Sequence, residues 1–333
     1  MTVGIAGIAF HLPEDILDNA ALARRHPRFQ PDKVKAKTGI DRRHIAAAGE
    51  TAGDLATRAG RKLLEETRIE AESVDYLIFC TQAPDYFLPG TSCLIHRRLG
   101  LKPSSGAVDL NLGCSGFVYG LGLAQGLIET GQAARVLLLT ADTYSKFIAL
   151  DDLATRTIFG DGAAATLIER RPAAGIGPFV YGTDGSGAEH LMVPTGGLRD
   201  RNGAARSYET HSGEFGPGRP LYMNGPEVFN FTIATVPRAV EQLLAKAGCG
   251  AEAVDLFVFH QANATMLEAL RRKLEIPVER FWVDLEGGNT VSSTIPIALH
   301  RAAAAGVLRP GMLVLLLGFG VGYSWAGTLL RWG

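Results

Sequence analysis

Cys114 is the side chain in this sequence that is best placed to act as a nucleophile. It lies within residues 111–117, after a short apolar run and before a long apolar run over 118–128 that contains no proline. This order predicts a strand, a tight turn and a buried helix. Free N–H groups at a helix N-terminus favour a thiolate, and small neighbours let the backbone turn sharply. The alternative is a buried structural cysteine, since free Cys is among the most buried residue types.

Three segments of the first half of the chain recur in the second half, in the same order. The matched pairs are residues 74–80 (VDYLIFC) with 254–260 (VDLFVFH), 108–110 (VDL) with 283–285 (VDL), and 136–139 (VLLL) with 314–317 (VLLL). All three offsets are about 180 residues, which indicates an internal duplication. Apolar strands alternate with helices in each half, so the sequence predicts α/β halves at residues 1–170 and 171–333, with sheets covered on both faces.

The duplication is expected to bring His260 and Asn289 close to Cys114. His260 follows the repeated strand 254–259, and Asn289 lies in the loop after residues 283–285, which we predict to be a strand. Loops that follow strands in two similar halves packed together meet at one central site. Taken alone, His260 fits a core histidine and Asn289 fits a turn residue after two glycines, and these structural alternatives stay open at this point.

A thiol, an imidazole and a carboxamide at one site can carry out acyl-thioester chemistry. The thiolate accepts an acyl group as a thioester. The Nε2–H of a neutral imidazole and the N–H₂ of an asparagine are two donors for one carbonyl oxygen, and they can stabilise the enolate left when a malonyl thioester loses CO₂. Backbone N–H groups of Cys114 and of the glycine-rich segment around Val321 can form a second oxyanion hole.

Composition limits the class of protein. The 333 residues include 47% hydrophobic and 20% charged residues, and the formal net charge of −1 gives no general basis for binding nucleic acid or an anionic membrane. The four cysteines form no metal-ligand pattern with histidine, so we expect no metal and a reducing compartment. With no secretory leader pattern and no apolar run of transmembrane length, we expect a cytoplasmic protein without membrane insertion.

Six motifs together carry a resemblance to a known family. The chain resembles the β-ketoacyl-acyl-carrier-protein synthase III family of the thiolase superfamily, nearly from end to end. The motifs are residues 38–43 (TGIDRR), 113–117 (GCSGF), 159–164 (FGDGAA), 260–263 (HQAN), 288–290 (GNT) and 318–325 (GFGVGYSW).

The resemblance implies a five-layered αβαβα thiolase-like fold and a homodimer, with acyl-CoA or acyl-carrier protein as substrate and no cofactor. It implies that Cys114 is acylated and that His260 and Asn289 form the decarboxylation pair. The N–H groups of Cys114 and Val321 would form the oxyanion hole, and Phe319 would flank the malonyl group. The implied reaction is a decarboxylative Claisen condensation that forms β-ketoacyl-carrier protein, in fatty acid or specialised-metabolite biosynthesis.

The chain also departs from the CoA-primed members of this family. Lys33 stands where those members have a tryptophan that stacks on the CoA adenine, while Lys37 and Leu153 align with two arginines that contact CoA. A lysine cannot supply a stacking surface. We therefore expect a donor other than acetyl-CoA, either an acyl-carrier protein or an unusual acyl-CoA.

Two further departures concern the acyl group and the carrier protein. Leu88 aligns with a phenylalanine that a dimer partner contributes to the acyl pocket, which favours a larger or different acyl group. The basic cluster Arg271, Arg272 and Lys273 lies where the family docks the acidic carrier protein. The same cluster also fits an ordinary solvated helix end.

Two other functions remain open on the sequence alone. One is an acyltransferase that moves a Cys114-bound acyl group to an alcohol or amine, with His260 as general base. Asn289 argues against it, because esterification needs no enolate stabiliser. The other is a non-catalytic subunit of a heterodimeric synthase, which the presence of the complete Cys–His–Asn set disfavours.

Overall fold

The computed structural model describes residues 1–172, 175–201, 209–210, 213–214 and 221–333. The strands are Thr2–His11 (β1), Asp15–Asp18 (β2), Arg42–Ile45 (β3), Tyr76–Cys80 (β4), Gly106–Leu110 (β5), Arg135–Asp142 (β6), Gly162–Arg171 (β7), Gly175–Thr183 (β8), Leu191–Met192 (β9), Glu209–Thr210 (β10), Gly213–Glu214 (β11), Tyr222–Met223 (β12), Leu256–Phe259 (β13), Leu313–Gly320 (β14) and Ser324–Arg331 (β15). The α-helices are Asn19–Arg25 (α1), Pro31–Thr38 (α2), Ala52–Thr67 (α3), Thr91–Leu99 (α4), Gly116–Glu129 (α5), Leu153–Arg156 (α6), Gly225–Ala247 (α7), Ala264–Lys273 (α8) and Thr294–Ala304 (α9).

Two β-sheets share one strand order. The first sheet runs β1-β7-β6-β4-β5, and the second runs β8-β15-β14-β13. The pairs β4–β6 and β13–β14 are parallel, whereas β6–β7, β1–β7, β14–β15 and β15–β8 are antiparallel. Each strand of the second sheet therefore has a counterpart at the same place in the first.

Helices separate and cover the two sheets. Helices α5 and α9 contact strands of both sheets and form the central layer. Helices α3 and α4 cover the outer face of the first sheet, and α7 and α8 cover the outer face of the second. The predicted five-layered αβαβα arrangement is confirmed.

The alternation of β-strand side chains explains why these strands are apolar throughout. In β6, Val136 and Leu138 pack in the central core with α5, while Leu137 and Leu139 pack on the opposite face against α3. Strand β14 repeats this division, with residues 314 and 316 toward the centre and 315 and 317 toward α7. Because both faces of each strand meet a helix layer, alternate polar positions are not needed.

One predicted strand is wrong. Residues 283–285, expected to mirror β5, are not a strand. The second sheet there has only an isolated parallel bridge between Phe281 and Phe257. The N–H of Asp284 donates to Gln261 Oε1 at 2.7 Å, and its carboxylate pairs with Arg301 at 2.8 Å. Contacts with side chains thus stand where backbone hydrogen bonds to a neighbouring strand were expected.

The strands of the first sheet end at Arg171 and those of the second begin at Gly175. The division of the chain into halves at residues 1–170 and 171–333 stays a prediction. Within the described ranges, none of the helices combines the length and apolar character that crossing a bilayer requires.

Candidate active site

Cys114 lies on the turn between β5 and α5, two residues before the helix begins. Glycines allow this turn to pack closely against both halves of the molecule. A Cβ on Gly116 would lie 2.2 Å from the Cys80 sulfur, and a Cβ on Gly320 would lie 2.8 Å from the Cys114 sulfur. The predicted strand, turn and buried helix are therefore confirmed, and β14 of the second half ends directly at the thiol.

The Cys114 thiol is buried, with 6% of its surface exposed. Burial raises the pKa of Cys114 to about 12, although hydrogen bonds from the N–H groups of Val321 and of Cys114 itself lower it. Burial thus outweighs the thiolate stabilisation that the sequence predicts at this turn. The Cys114 thiol is therefore neutral at pH 7.

His260 follows β13 and is held at both its backbone and its ring. Its N–H donates to Leu317 O at 2.8 Å, and its Nδ1 lies 2.7 Å from the Thr294 hydroxyl oxygen. The ring is 2% exposed and packs edge-on against Phe319, with centroids 5.7 Å apart. Burial lowers the pKa of His260 to about 3, so the imidazole is neutral at physiological pH.

Asn289 is positioned by the 159–164 motif and by its own loop. Its N–H donates to Ile158 O at 2.9 Å and its carbonyl accepts from Gly160 N at 3.1 Å. The side-chain Oδ1 accepts the N–H of Val291 at 2.9 Å, which leaves Nδ2 turned toward His260, 3.4 Å from Nε2. Both nitrogens can therefore donate to one shared oxygen.

One cavity of about 440 Å³ collects the predicted site residues. Cys114, His260, Asn289 and Phe319 all line it, and Lys37 lies on its lining as well. Its remaining walls are mostly apolar and include β9, β12 and the first turns of α7. The structure thus brings together a thiol, an imidazole and a carboxamide in a largely apolar pocket.

Other predicted site residues have different surroundings. Val321 packs beside Cys114 and directs its N–H at the sulfur. Leu88 is 82% exposed and does not line the cavity of its own chain. Arg271 and Arg272 both pair with Glu268, so a carboxylate neutralises part of the basic cluster at the end of α8.

The three positions aligned with CoA-binding residues surround one cleft. Lys33, Lys37 and Leu153 line this cleft of about 680 Å³, together with Arg28 and Phe29. Lys37 also borders the cavity that holds Cys114, so the two spaces adjoin. Phe29 supplies an aromatic surface here that sequence reasoning missed, because it lies outside the six motifs.

Asp142 is a second residue that the sequence did not reveal. It ends β6, is fully buried, and accepts hydrogen bonds from Gln82 N at 2.8 Å and from the Ser292 N–H and hydroxyl. Burial raises the pKa of Asp142 to about 7. The carboxyl group ties the first sheet to the loop that carries Asn289, and only tertiary structure shows this connection.

Comparisons with known proteins agree with this geometry. Residues 108–185 match the model of the 3-oxoacyl-[acyl-carrier-protein] synthase III family, and residues 244–332 match the model of the C-terminal part of that family. The chain is 34% identical to β-ketoacyl-[acyl-carrier-protein] synthase III of Caldanaerobacter subterraneus subsp. tengcongensis, over 100% of this chain and 98% of that protein.

Solved structures give the same result. A crystal structure of a 3-oxoacyl-(acyl-carrier-protein) synthase III is similar at a TM-score of 0.94 and 52% identity, with 100% of both chains covered. The priming β-ketosynthase of the R1128 polyketide biosynthetic pathway is similar at a TM-score of 0.87 and 29% identity, over 99% of this chain and 96% of that chain.

Proposed function

Since the chain belongs to the 3-oxoacyl-[acyl-carrier-protein] synthase III family, we propose that Cys114, His260 and Asn289 divide its reaction between them. The enzyme forms a β-ketoacyl-carrier protein by decarboxylative condensation, in the priming of fatty acid or polyketide synthesis. The observation that carries this assignment is the 3.4 Å separation of two nitrogens, His260 Nε2 and Asn289 Nδ2, in the cavity that holds the thiol.

The first step loads the acyl group onto Cys114. The sulfur attacks the carbonyl carbon of the donor thioester, a new C–S bond forms, and the donor thiolate leaves with the proton that the Cys114 thiol gives up. The N–H groups of Cys114 and Val321 stabilise the oxyanion of the tetrahedral intermediate. Because the thiol is neutral at pH 7, ionisation accompanies substrate binding or attack.

The second step joins two carbons. The malonyl thioester loses CO₂, and its carbonyl oxygen takes the enolate charge between His260 Nε2–H and Asn289 Nδ2–H. The enolate carbon attacks the Cys114 thioester, a C–C bond forms as the C–S bond breaks, and the Cys114 thiolate leaves and takes up a proton from solvent. A buried donor in such a site contributes about 3 kcal/mol of barrier lowering, and Phe319 shields the reacting carboxylate from water.

Transfer of the acyl group to an alcohol or amine is not favoured. That reaction needs a general base with a pKa near the working pH. Burial lowers the pKa of His260 to about 3, which makes it a weak base and a suitable neutral donor. The complete Cys–His–Asn set likewise argues against a non-catalytic subunit.

We propose that the acyl-carrier protein docks over the adjoining cleft, across α2 and α8. The α8 cluster of Arg271, Arg272 and Lys273 offers less free charge than its sequence suggests, because Glu268 pairs with both arginines. Lys33 and Lys37 on α2 are exposed beside the cleft and form no ion pair with any described residue. An acidic carrier is attracted to both surfaces, and its thioester arm would pass Lys37 to reach Cys114.

We propose a homodimer in which Leu88 enters the partner's acyl pocket. Three consecutive exposed apolar side chains support it, since Tyr86, Phe87 and Leu88 are 61%, 75% and 82% exposed. Strand β5 is at the edge of the first sheet, with Val108 41% exposed. Exposed apolar loops and open edge strands are typical of surfaces that a second chain covers.

We also propose that the enzyme works in the cytoplasm with thioesters as its substrates and with no cofactor. All four cysteines are free thiols, as a reducing compartment would keep them. The donor is an acyl-CoA or an acyl-carrier protein, and the residues of the cleft around Lys33 and Lys37 would contact it.

Intact-mass analysis tests the proposal. The protein is incubated with a panel of acyl-CoA and acyl-carrier-protein donors and then with malonyl-carrier protein. We expect an acyl adduct that the Cys114→Ser protein does not form, followed by its loss together with CO₂ release and a β-ketoacyl product. Transfer of the adduct to an alcohol without CO₂ release would contradict the condensation.

The carrier surface is tested with two matched variants, Lys33→Glu/Lys37→Glu and Arg272→Glu/Lys273→Glu. We expect both to raise KM for malonyl-carrier protein, the α2 variant more, and neither to affect a small malonyl thioester without a carrier. A larger effect from the α8 variant would contradict the assignment of the main surface to α2.

A further inference from the structure

Thr294, the first residue of α9, touches His260 from the side opposite the cavity. It is 4% exposed, and its hydroxyl oxygen lies within hydrogen-bond reach of two polar atoms. His260 Nδ1 is 2.7 Å away, and the carbonyl oxygen of Val291 is 3.2 Å away. A threonine hydroxyl has one proton, so it can donate fully to only one of them.

The two distances favour the imidazole as acceptor. A separation of 2.7 Å is at the centre of the range for strong hydroxyl hydrogen bonds, whereas 3.2 Å is long for a hydroxyl donating to a carbonyl. If Thr294 donates to His260 Nδ1, and burial lowers the pKa of His260 to about 3, the single ring proton is on Nε2.

The same loop fixes the orientation of Asn289. Val291 has a φ of +56°, a left-handed conformation that β-branched residues rarely adopt. In this conformation its N–H donates to Asn289 Oδ1 at 2.9 Å and its carbonyl group faces Thr294. The loop from residue 289 to residue 294 thus contacts both the amide of Asn289 and the ring of His260.

We propose that Thr294 is a positioning residue whose hydroxyl keeps the proton of His260 on Nε2, so that Nε2–H and Asn289 Nδ2–H both face the enolate oxygen. This inference rests on the condensation reaction proposed above. With both nitrogens as donors 3.4 Å apart, neither can bond to the other, and both stay available for the substrate.

Loss of the hydroxyl reverses this arrangement. Without a donor at Nδ1, the preference for Nε2–H is lost, and a ring with its proton on Nδ1 can accept Asn289 Nδ2–H at Nε2. One donor is then lost and the second is occupied, so the enolate is no longer stabilised. Acylation of Cys114 uses the N–H groups of Cys114 and Val321 and does not depend on the tautomer.

Three variants separate this role from a packing role. Thr294→Val keeps the shape and removes the hydroxyl, and Thr294→Ser keeps the hydroxyl. Thr57→Val removes a buried hydroxyl in α3 that donates to Gly53 O of the same helix. We expect CO₂ release from malonyl-carrier protein to fall about 100-fold in Thr294→Val. We expect the acylation rate of Cys114 to stay near the wild-type value, Thr294→Ser to recover most of the decarboxylation, and Thr57→Val to match the wild type.

A spectroscopic readout does not depend on activity. In ¹H–¹⁵N spectra of protein labelled with ¹⁵N-histidine, the protonated and unprotonated ring nitrogens of a neutral imidazole have very different ¹⁵N chemical shifts. We expect the His260 proton on Nε2 in the wild type and Thr294→Ser, and on Nδ1 in Thr294→Val.

A wild-type proton on Nδ1 would overturn the proposal, even if the valine variant failed to fold. So would an equal loss of acylation and decarboxylation in Thr294→Val without recovery in Thr294→Ser. A wild-type protein that released no CO₂, yet showed Nε2–H, would refute the condensation instead and leave the tautomer assignment standing.

Discussion

The two halves of the molecule place different chemistry at matching positions. The repeat aligns Cys80 with His260, and it aligns the loop of Cys114, before α5, with the loop of Asn289, before α9. The Cys80 thiol donates to Leu112 O of its own half and is buried without access to the cavity. His260 instead lines the cavity, and its Nδ1 contacts the hydroxyl of Thr294 at the start of α9. In the proposed reaction, the first half therefore supplies the nucleophile, and the second half supplies the enolate-stabilising pair.

This difference shows what a duplicated fold provides. The two sheets share one strand order, and in each half a loop leads from the sheet into a central-layer helix, α5 or α9. Both loops therefore reach the shared centre. The loops themselves are free to diverge. In the first half, Gly113 and Gly116 let the backbone pack tightly around Cys114, and in the second half Gly287 and Gly288 turn at φ +96° and +86° before Asn289.

Removal of the Asn289 carboxamide should produce the largest difference between the two steps, decarboxylation and acylation. We expect Asn289→Ala to lower CO₂ release from malonyl-carrier protein about 10²–10³-fold, because one donor to the enolate is lost. Acyl adduct formation on Cys114 should persist in the same protein, since its oxyanion hole is intact. Stopped-flow CO₂ detection and intact mass provide the two readouts, and an equal loss of both would contradict the division.

The pH dependence of Cys114 alkylation tests the electrostatics of the first half. Burial raises the pKa of Cys114 to about 12, so the neutral thiol dominates at pH 7 and the thiolate fraction grows about tenfold per pH unit below that value. We expect the iodoacetamide rate at the Cys114 peptide to rise about 100-fold from pH 7 to pH 9. A rate that is flat above pH 7 would instead indicate a stabilised thiolate, as the sequence alone predicts.

The smallest effects concern the outer helices, which are equivalent in the two halves. Thr51 caps α3 through the N–H of Asp54, and Asn224 caps α7 through the N–H of Glu227. We expect Thr51→Ala and Asn224→Ala each to lower the free energy of unfolding by about 1 kcal/mol. Only Asn224→Ala should also reduce activity, because the first turn of α7 lines the cavity.

Denaturant unfolding and steady-state kinetics measure the two effects of these cap variants. Thr51→Ser, which keeps the hydroxyl, is the control. Loss of activity in a folded Thr51→Ala protein would show that α3 also shapes the site.

The sequence predicts those features that depend on local pattern and repetition. The apolar strands β4, β6, β13 and β14 follow from runs that are buried on both faces, and the turn at Cys114 follows from its glycines and the helix after it. The missing counterpart of β5 could not be predicted, because the repeated VDL segment has its N–H and carboxylate taken by Gln261 and Arg301 from other parts of the fold.

Long-range contacts account for what the sequence missed at the site. Nothing near Thr294 in the sequence indicates that its hydroxyl meets His260, and nothing near Asp142 indicates that it holds the Ser292 loop. The pKa of Cys114 depends on desolvation by residues of both halves, so the local helix-terminus pattern predicts its direction wrongly.

The most direct test of the division between the halves is CO₂ release by the Cys114→Ala protein supplied with malonyl-carrier protein alone. His260 and Asn289 remain in place in that protein, so we predict decarboxylation within about tenfold of the wild-type rate and no condensation product. CO₂ release at the uncatalysed rate in a folded Cys114→Ala protein would show that the second half does not decarboxylate independently of the thiol, and would contradict the central claim.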